Sequence, residues 1–397
     1  MAMAQKILLS VLLVLSFSVV ASDYMIEDIQ FSGNKNTRDE VLLRELGFTR
    51  GTSVPETKIN HGRQAIMALG LFTIVETSLE PTRTGHRLLV AVREKQFFLT
   101  TPVLNISGDG DRTYGIMSRA ENLFGLNQQL KASVKRKHYK NADIKHEGRL
   151  QISYRAPRIA NSRFDMELAV YRERALLDEQ RPNGSGRYER YLSDGLASVT
   201  TPLGFSEPYG PWTISVGVQR QDYEHTLLTG SPGLFFNASV YTLISRIDKK
   251  KISLLAEGRD GLHYGYELRR ARTMSRTLYR HLGFYHSYQH FESLRRAQMH
   301  VRVRVGSCSE SVFGEPCFNL GGDATIRGIR RGSLKGDSFV LTNAQLLVPL
   351  LPGWPIKGTA FVDVGAATQS RNQVNPTKLS AGLGFGMIWQ VKRFVRT

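Results

Sequence analysis

From residue 96 onward, apolar and polar residues alternate with a period of two in one segment after another. Met299, Val301, Val303 and Val305 are interleaved with Gln298, His300, Arg302 and Arg304. The same pattern runs through Leu150, Ile152 and Tyr154, through Phe164, Met166, Leu168 and Val170, and through Trp212, Ile214, Val216 and Val218. It returns in Leu379, Ala381, Leu383, Phe385, Met387 and Trp389, which alternate with Ser380 and three glycines. A helix repeats every 3.6 residues, so this period belongs to strands with one apolar and one polar face. Each segment spans about ten residues, the length of a strand that crosses a bilayer. In lipid an open sheet edge would strand backbone N–H and C=O groups, so the pattern predicts a closed transmembrane β-barrel. Fourteen strands can be counted, with a doubtful further one around Ile252–Glu257. A soluble sandwich or lipocalin-like barrel is the alternative, but it would have to hide so many apolar faces behind a second layer.

Composition reads differently once the alternation is recognised. The chain has 397 residues, 41% of them hydrophobic, and a net charge of +18. Alone, these values describe a basic soluble protein or a nucleic-acid binder. Half of every barrel strand is polar, however, so modest hydrophobicity is compatible with a membrane protein. The charge is also localised. Basic and acidic residues cancel over 23–95, and nearly all the excess lies in 96–397. Residues 1–22 read as a secretory signal peptide, with Lys6 as its basic start, Ile7–Val20 as its apolar stretch and small residues near Ala21. Export argues against nucleic acid as a partner. Two cysteines are too few for a disulfide scaffold.

Residues 23–95 read as a small α+β unit of order β-α-α-β-β. Met25–Phe31 alternates as a half-buried strand, and Gly33-Asn34 marks a turn. Thr37-Arg38-Asp39-Glu40 reads as a capping box opening a helix that Gly47 stops. Ser53-Val54-Pro55-Glu56 reads as a second box opening a helix that Gly70 closes. Phe72–Val75 and Arg87–Val92 are two further strands.

The run Ile29–Thr37 with Gly33 and Asn34, the Gly70-Leu71-Phe72 sequence and the element order resemble a POTRA domain, the polypeptide-transport-associated module of outer-membrane assembly factors. The later residues extend the resemblance. Arg112–Gly115 followed by Glu121–Gly125 is similar to the first barrel hairpin of BamA/TamA-type proteins. Leu320-Gly321-Gly322-Asp323-Ala324-Thr325-Ile326-Arg327-Gly328 is similar to their inward-loop motif, and Phe361-Val362-Asp363-Val364-Gly365 to their late-strand motif. The resemblance covers nearly the whole mature chain. It implies a periplasmic POTRA domain over 23–95 and an outer-membrane β-barrel over 96–397, of about sixteen-stranded type with its last strand missing.

On the late strand, alternation puts Phe361, Asp363 and Gly365 on one face and Ala360, Val362 and Val364 on the other. Aliphatic side chains belong to lipid, so Asp363 is expected to face the lumen. The resemblance implies that Arg327, beside Gly328 and below Gly321-Gly322, forms a bidentate lock with Asp363. Without it, Arg327 reads as one more exposed loop cation. Two departures from the family weaken the lock: Ile329 stands where an aromatic is usual, and Gln345 where Glu is usual. A further departure is the end at Arg393–Thr397, where a final aromatic-ending strand would be expected.

Cys308 and Cys317 precede the loop motif. In an exported chain they are expected to form a disulfide, the other reading being two free thiols. No metal-ligand spacing is present. His281, His286 and His290, interleaved with tyrosines, read as lumen or girdle residues, and no nucleotide or cofactor fingerprint occurs. Lys135-Arg136-Lys137 and Lys249-Lys250-Lys251 read as solvated strand ends or as contacts to lipid phosphate. The resemblance implies a non-enzymatic role in inserting or translocating polypeptides. The implied partners are outer-membrane lipid, extended or unfolded clients and periplasmic accessory proteins. The rival readings are a dedicated secretion pore of two-partner type, a barrel enzyme and a truncated nonfunctional fragment.

Overall fold

The computed structural model describes residues 23–106, 112–139, 146–181, 184–203, 212–255, 258–273, 280–294, 297–309, 311–314, 316–330, 332–351, 356–368 and 379–389. The stretch read as a signal peptide, several barrel turns and the last eight residues lie outside them. The chain divides into two compact units. The first holds residues up to Gln96 together with Phe124–Asn127, and the second holds the remainder.

The first unit contains β1 (Asp23–Ser32), α1 (Asp39–Leu46), β2 (Thr52–Pro55), α2 (Glu56–Ala68), β3 (Phe72–Pro81) and β4 (His86–Glu94). Its sheet has the order β2-β1-β4-β3, with β1 and β4 parallel and the other neighbours antiparallel. The core collects Ile26 and Ile29 of β1, Val41 and Leu42 of α1, Ile66 of α2, Phe72 of β3 and Leu88 and Val90 of β4, all nearly inaccessible to water. Each such side chain contributes about 1.5–3 kcal/mol by leaving water.

The unit corrects three sequence expectations. β2 is an additional strand between the helices, so the order is β-α-β-α-β-β. Ser53 sits within β2 rather than capping α2, whose N-cap is Pro55. Thr37 does not cap α1 either, since the N-cap is Arg38 and carries no side-chain cap bond. The hydroxyl and N–H of Thr37 instead donate to Glu94 Oε1 at 2.6 and 2.7 Å. The end of β4 passes close enough to offer a full carboxylate, a stronger acceptor than a local cap provides.

The second unit is a fourteen-stranded antiparallel sheet plus a two-stranded hairpin. Its first half comprises β5 (Phe98–Ile106), β6 (Arg112–Leu123), β7 (Gln128–His138), β8 (His146–Ala156), β9 (Asp165–Arg181), β10 (Gly184–Pro202) and β11 (Trp212–Gly230). There follow β12 (Ala238–Leu255), β13 (Gly258–Thr273), β14 (Arg280–Leu294), β15 (Ala297–Cys308), β18 (Ser338–Pro349), β19 (Ile356–Thr368) and β20 (Ser380–Trp389). The hairpin pairs β16 (Phe318–Leu320) with β17 (Leu334–Gly336) inside the long β15–β18 connection. The doubtful strand at Ile252–Glu257 is not separate: Ile252–Leu255 ends β12 and pairs with Gly258–Gly261 of β13. Among the described residues no pairing joins β5 to β20, so both remain edges.

The register confirms the two faces. One carries Ile116, Val134, Ile152, Val170, Val216, Val218, Leu243, Val362, Leu383 and Phe385, all exposed. Exposed aliphatic rows of this extent belong in lipid. The hairpin lies on the opposite, inner face, where Ile326 packs with Leu320, Phe339 and Leu341. At the end where β5 begins, Trp212 and Tyr264 meet edge to face at 5.3 Å on the outer side. Lys249 Nζ stands 5.2 Å from the Trp212 ring, in the manner of an interfacial girdle.

Candidate functional site: the inward hairpin and its carboxylate

Asp363 is fully buried at the middle of β19. Antiparallel pairing sets it opposite Asn343 of β18 and Gly382 of β20. Arg327 reaches it from the hairpin through two parallel bonds, Nε to Oδ2 and Nη2 to Oδ1, each 2.7 Å. The Arg327 backbone N–H donates to Oδ2 at 2.9 Å, and Asn343 Nδ2 donates to Oδ1 at 2.7 Å. A buried carboxylate is costly unless its lone pairs are satisfied, and four donors satisfy this one.

The guanidinium is fixed from its other sides as well. Its carbon lies 3.6 Å above the Phe361 ring, and Nη1 is 3.4 Å from Gln345 Oε1. Gln345 is turned by donating to Thr359 Oγ1 at 2.8 Å. Asn343 also donates to the Thr325 carbonyl at 2.6 Å, and Arg304 Nη2 donates to the Ala324 carbonyl at 2.9 Å. The inner face of β15, β18 and β19 therefore reads the hairpin backbone at Ala324, Thr325 and Arg327.

Glycines admit the hairpin. Gly321 has φ +107°, a conformation costly for other residues, and a Cβ there would overlap the Arg330 carbonyl. Gly322 N–H donates to the Ile329 carbonyl at 2.8 Å, and Ile329 packs against the Ile326 cluster. Gly328 has φ +84°, with open space where a side chain would stand. On β20 the inner face is Ser380, Gly382, Gly384 and Gly386. A Cβ on Gly382 would collide with the Arg327 carbonyl, and one on Gly384 would stand 2.7 Å from the Phe361 ring.

The root of the connection is tied down separately. Cys308 and Cys317 form a disulfide with Cα atoms 6.3 Å apart. Asp337 receives Cys308 N–H on its carbonyl at 2.8 Å and Cys317 N–H on Oδ1 at 3.2 Å. From β9, Arg181 Nη1 donates to the Phe313 carbonyl at 2.6 Å.

In the first unit, Gly33 has φ +84° and passes close against the Val92 carbonyl, leaving no room for a side chain. Asn34 Nδ2 bonds the Thr37 carbonyl at 3.0 Å and Asp39 Oδ1 at 2.6 Å. Gly70 ends α2 at φ +72°, and Phe72 is fully buried. The Arg327 and POTRA-motif residues thus form separate clusters in separate units. Sequence reasoning missed Asn343, whose only signal was its place opposite the Asp363 motif. It noted the β20 glycines without a role. The run Lys135-Arg136-Lys137 splits between faces, with Arg136 outward and both lysines inward. Among the described residues no group of three or more His, Cys, Asp or Glu is arranged to hold a metal.

A small α+β unit that matches POTRA, followed by a large antiparallel sheet, is a fold that this chain shares with solved structures of BamA and CdiB. Residues 24–95 match the family described as POTRA, surface antigen variable number repeat. A curated relative, outer membrane protein assembly factor BamA of Neorickettsia risticii (strain Illinois), is 31% identical over 121 residues. That match takes in 29% of this chain and 16% of the relative's length. Among solved structures, BamA from Haemophilus ducreyi lacking POTRA domains 1–3 superposes with a TM-score of 0.59 at 13% identity, over 93% of this chain and 79% of that one. CdiB from Acinetobacter baumannii gives 0.65 at 16% identity, over 92% and 68%. CdiB from Escherichia coli gives 0.64 at 12% identity, over 92% and 70%.

Proposed function

We propose that this chain works in the outer membrane, where it inserts or translocates polypeptides without chemical catalysis. Its relatives and fold neighbours support outer-membrane protein assembly or translocation in general. In this reading residues 1–22 direct export, the POTRA unit lies in the periplasm and the sheet spans the membrane. The observation that carries the reading is the Arg327 hairpin, held by Asp363 and seated against Gly382 of the edge strand β20. It braces the inner side of the strand at which a client would enter or leave. Clients would first be bound by strand addition, which needs a free sheet edge. β3 is the longer of the two edges of the POTRA sheet, with ten residues against four in β2.

Depletion of the protein followed by quantification of outer-membrane barrel proteins tests the assembly role. A broad fall in those proteins is expected, and unchanged levels would defeat it. The likeness to CdiB favours a secretion pore as the second reading. Loss of one exported protein, with barrel proteins at normal levels, would select it.

A further inference from the structure

The outer face carries an uneven distribution of cations that the hairpin does not explain. On β6–β9, cross-strand pairs give two adjacent outward rows. The lower is Ile116, Val134, Leu150 and Arg172, and the upper is Tyr114, Arg136, Gly148 and Arg174. Arg172 therefore continues a row of aliphatic side chains, where a bare cation is unfavourable. Arg136 and Arg174 flank Gly148 at a separation of about 10 Å, two strand spacings. A side chain at Gly148 would meet no atom within 4 Å, so the space between the two arginines is open.

The neighbouring charges leave this cluster short of anions. Arg174 Nε bonds Glu189 Oε1 at 2.5 Å, and its guanidinium lies 5.5 Å from the Tyr191 ring. Among the described residues the side chains of Arg136 and Arg172 have no hydrogen bond or ion pair. Other outward arginines at this end do have partners: Arg220 pairs with Asp222 at 3.0 Å and Arg187 with Asp178 at 2.8 Å. The cluster lies toward the strand ends remote from the start of β5. In the lipid reading a headgroup phosphate reaches that end of the strands, and guanidinium forks match its oxygens.

We propose that Arg136, Arg172 and Arg174 form a binding site, open at Gly148, for the phosphate of an anionic lipid headgroup. This rests on the reading that the apolar face is in lipid. The site explains part of the barrel's positive charge without a client of opposite sign.

The test uses the full chain refolded in phosphatidylcholine vesicles containing a small fraction of phosphatidic acid. Lipid retained after mild detergent extraction is then measured. Wild type should be enriched in phosphatidic acid over the bulk ratio, and R136Q/R172Q should lose about fivefold per arginine. Arg220→Gln should retain the enrichment. Gly148→Leu fills the gap but keeps the cations, so it too should lose enrichment, which covers the case of a misfolded double variant. Inserted wild-type protein with no enrichment, or enrichment unchanged in R136Q/R172Q and Gly148→Leu, overturns the site alone. Failure of wild type to insert and resist protease overturns the membrane reading and the site with it.

Discussion

The backbone carbonyl of Arg327 lies where a side chain on Gly382 would be. The hairpin and the last described strand are therefore complementary at the level of backbone, and the pairing of Arg327 with Asp363 depends on that closeness.

Substituting Gly382 should dislodge the hairpin. Gly382→Val places branched carbon against the Arg327 carbonyl, and overpacking of this kind costs about 1–3 kcal/mol. Faster proteolysis within 318–336 of the folded barrel is the expected readout. Gly386→Ala is the contrast, since its nearest neighbour would be the Thr359 methyl at 3.3 Å. Equal protease sensitivity of the two variants would count against the fit.

Removing one member of the ion pair should cost more than its surface counterparts. Asp363 is fully buried, so Arg327→Ala leaves an uncompensated carboxylate at a cost of about 3–5 kcal/mol. Asp363→Asn should cost less, because it removes the charge that must be satisfied. The double variant should fall short of the sum of the singles, as expected for contacting residues. Denaturant midpoints of the detergent-folded barrel measure all three.

Reduction of Cys308–Cys317 should loosen the root of the β15–β18 connection while leaving Arg327 seated. The closed loop is short, so about 2 kcal/mol is at stake. Cleavage sites that open under reductant should map to the segment near Phe313 rather than to the hairpin around Arg327. Cleavage at both places would mean that the two anchors are not independent.

The POTRA unit should lose stability in acid through Glu94. Partial burial pushes its carboxyl up, but hydrogen bonds from Thr37 and Asn36 outweigh this and hold it below its ordinary value of 4.5. A carboxyl depressed on folding stabilises the fold fully at neutral pH, and that contribution is lost as pH falls through its folded-state value. Glu94→Gln should therefore cost about 1–2 kcal/mol at neutral pH and flatten the acid limb of the unfolding profile. An acid limb identical to wild type would assign the pH response to other groups.

Much of this was legible in the sequence because it depends on period and spacing. Val216, Val218, Leu383 and Phe385 face outward as their alternation requires. Asp363 faces inward because Val362 cannot. Gly47 and Gly70 end helices because few other residues adopt positive φ cheaply. Local capping was less legible: Thr37 and Ser53 carry the right spacing, yet one is taken by Glu94 and the other lies in a strand.

The sequence by itself determined the faces of the strands and the glycine-ended C-termini of the helices, since these follow from local geometry and side-chain chemistry, whereas the meeting of Arg327 with Asp363 was implied only by the family resemblance. Only the tertiary structure decided that Asn343 completes the Asp363 shell, that Gly382 of β20 receives the Arg327 backbone, and that Arg136 joins Arg172 and Arg174. Those relationships are set by register between strands distant in sequence. Shifting the pairing by one residue would leave the composition unchanged and reverse every face.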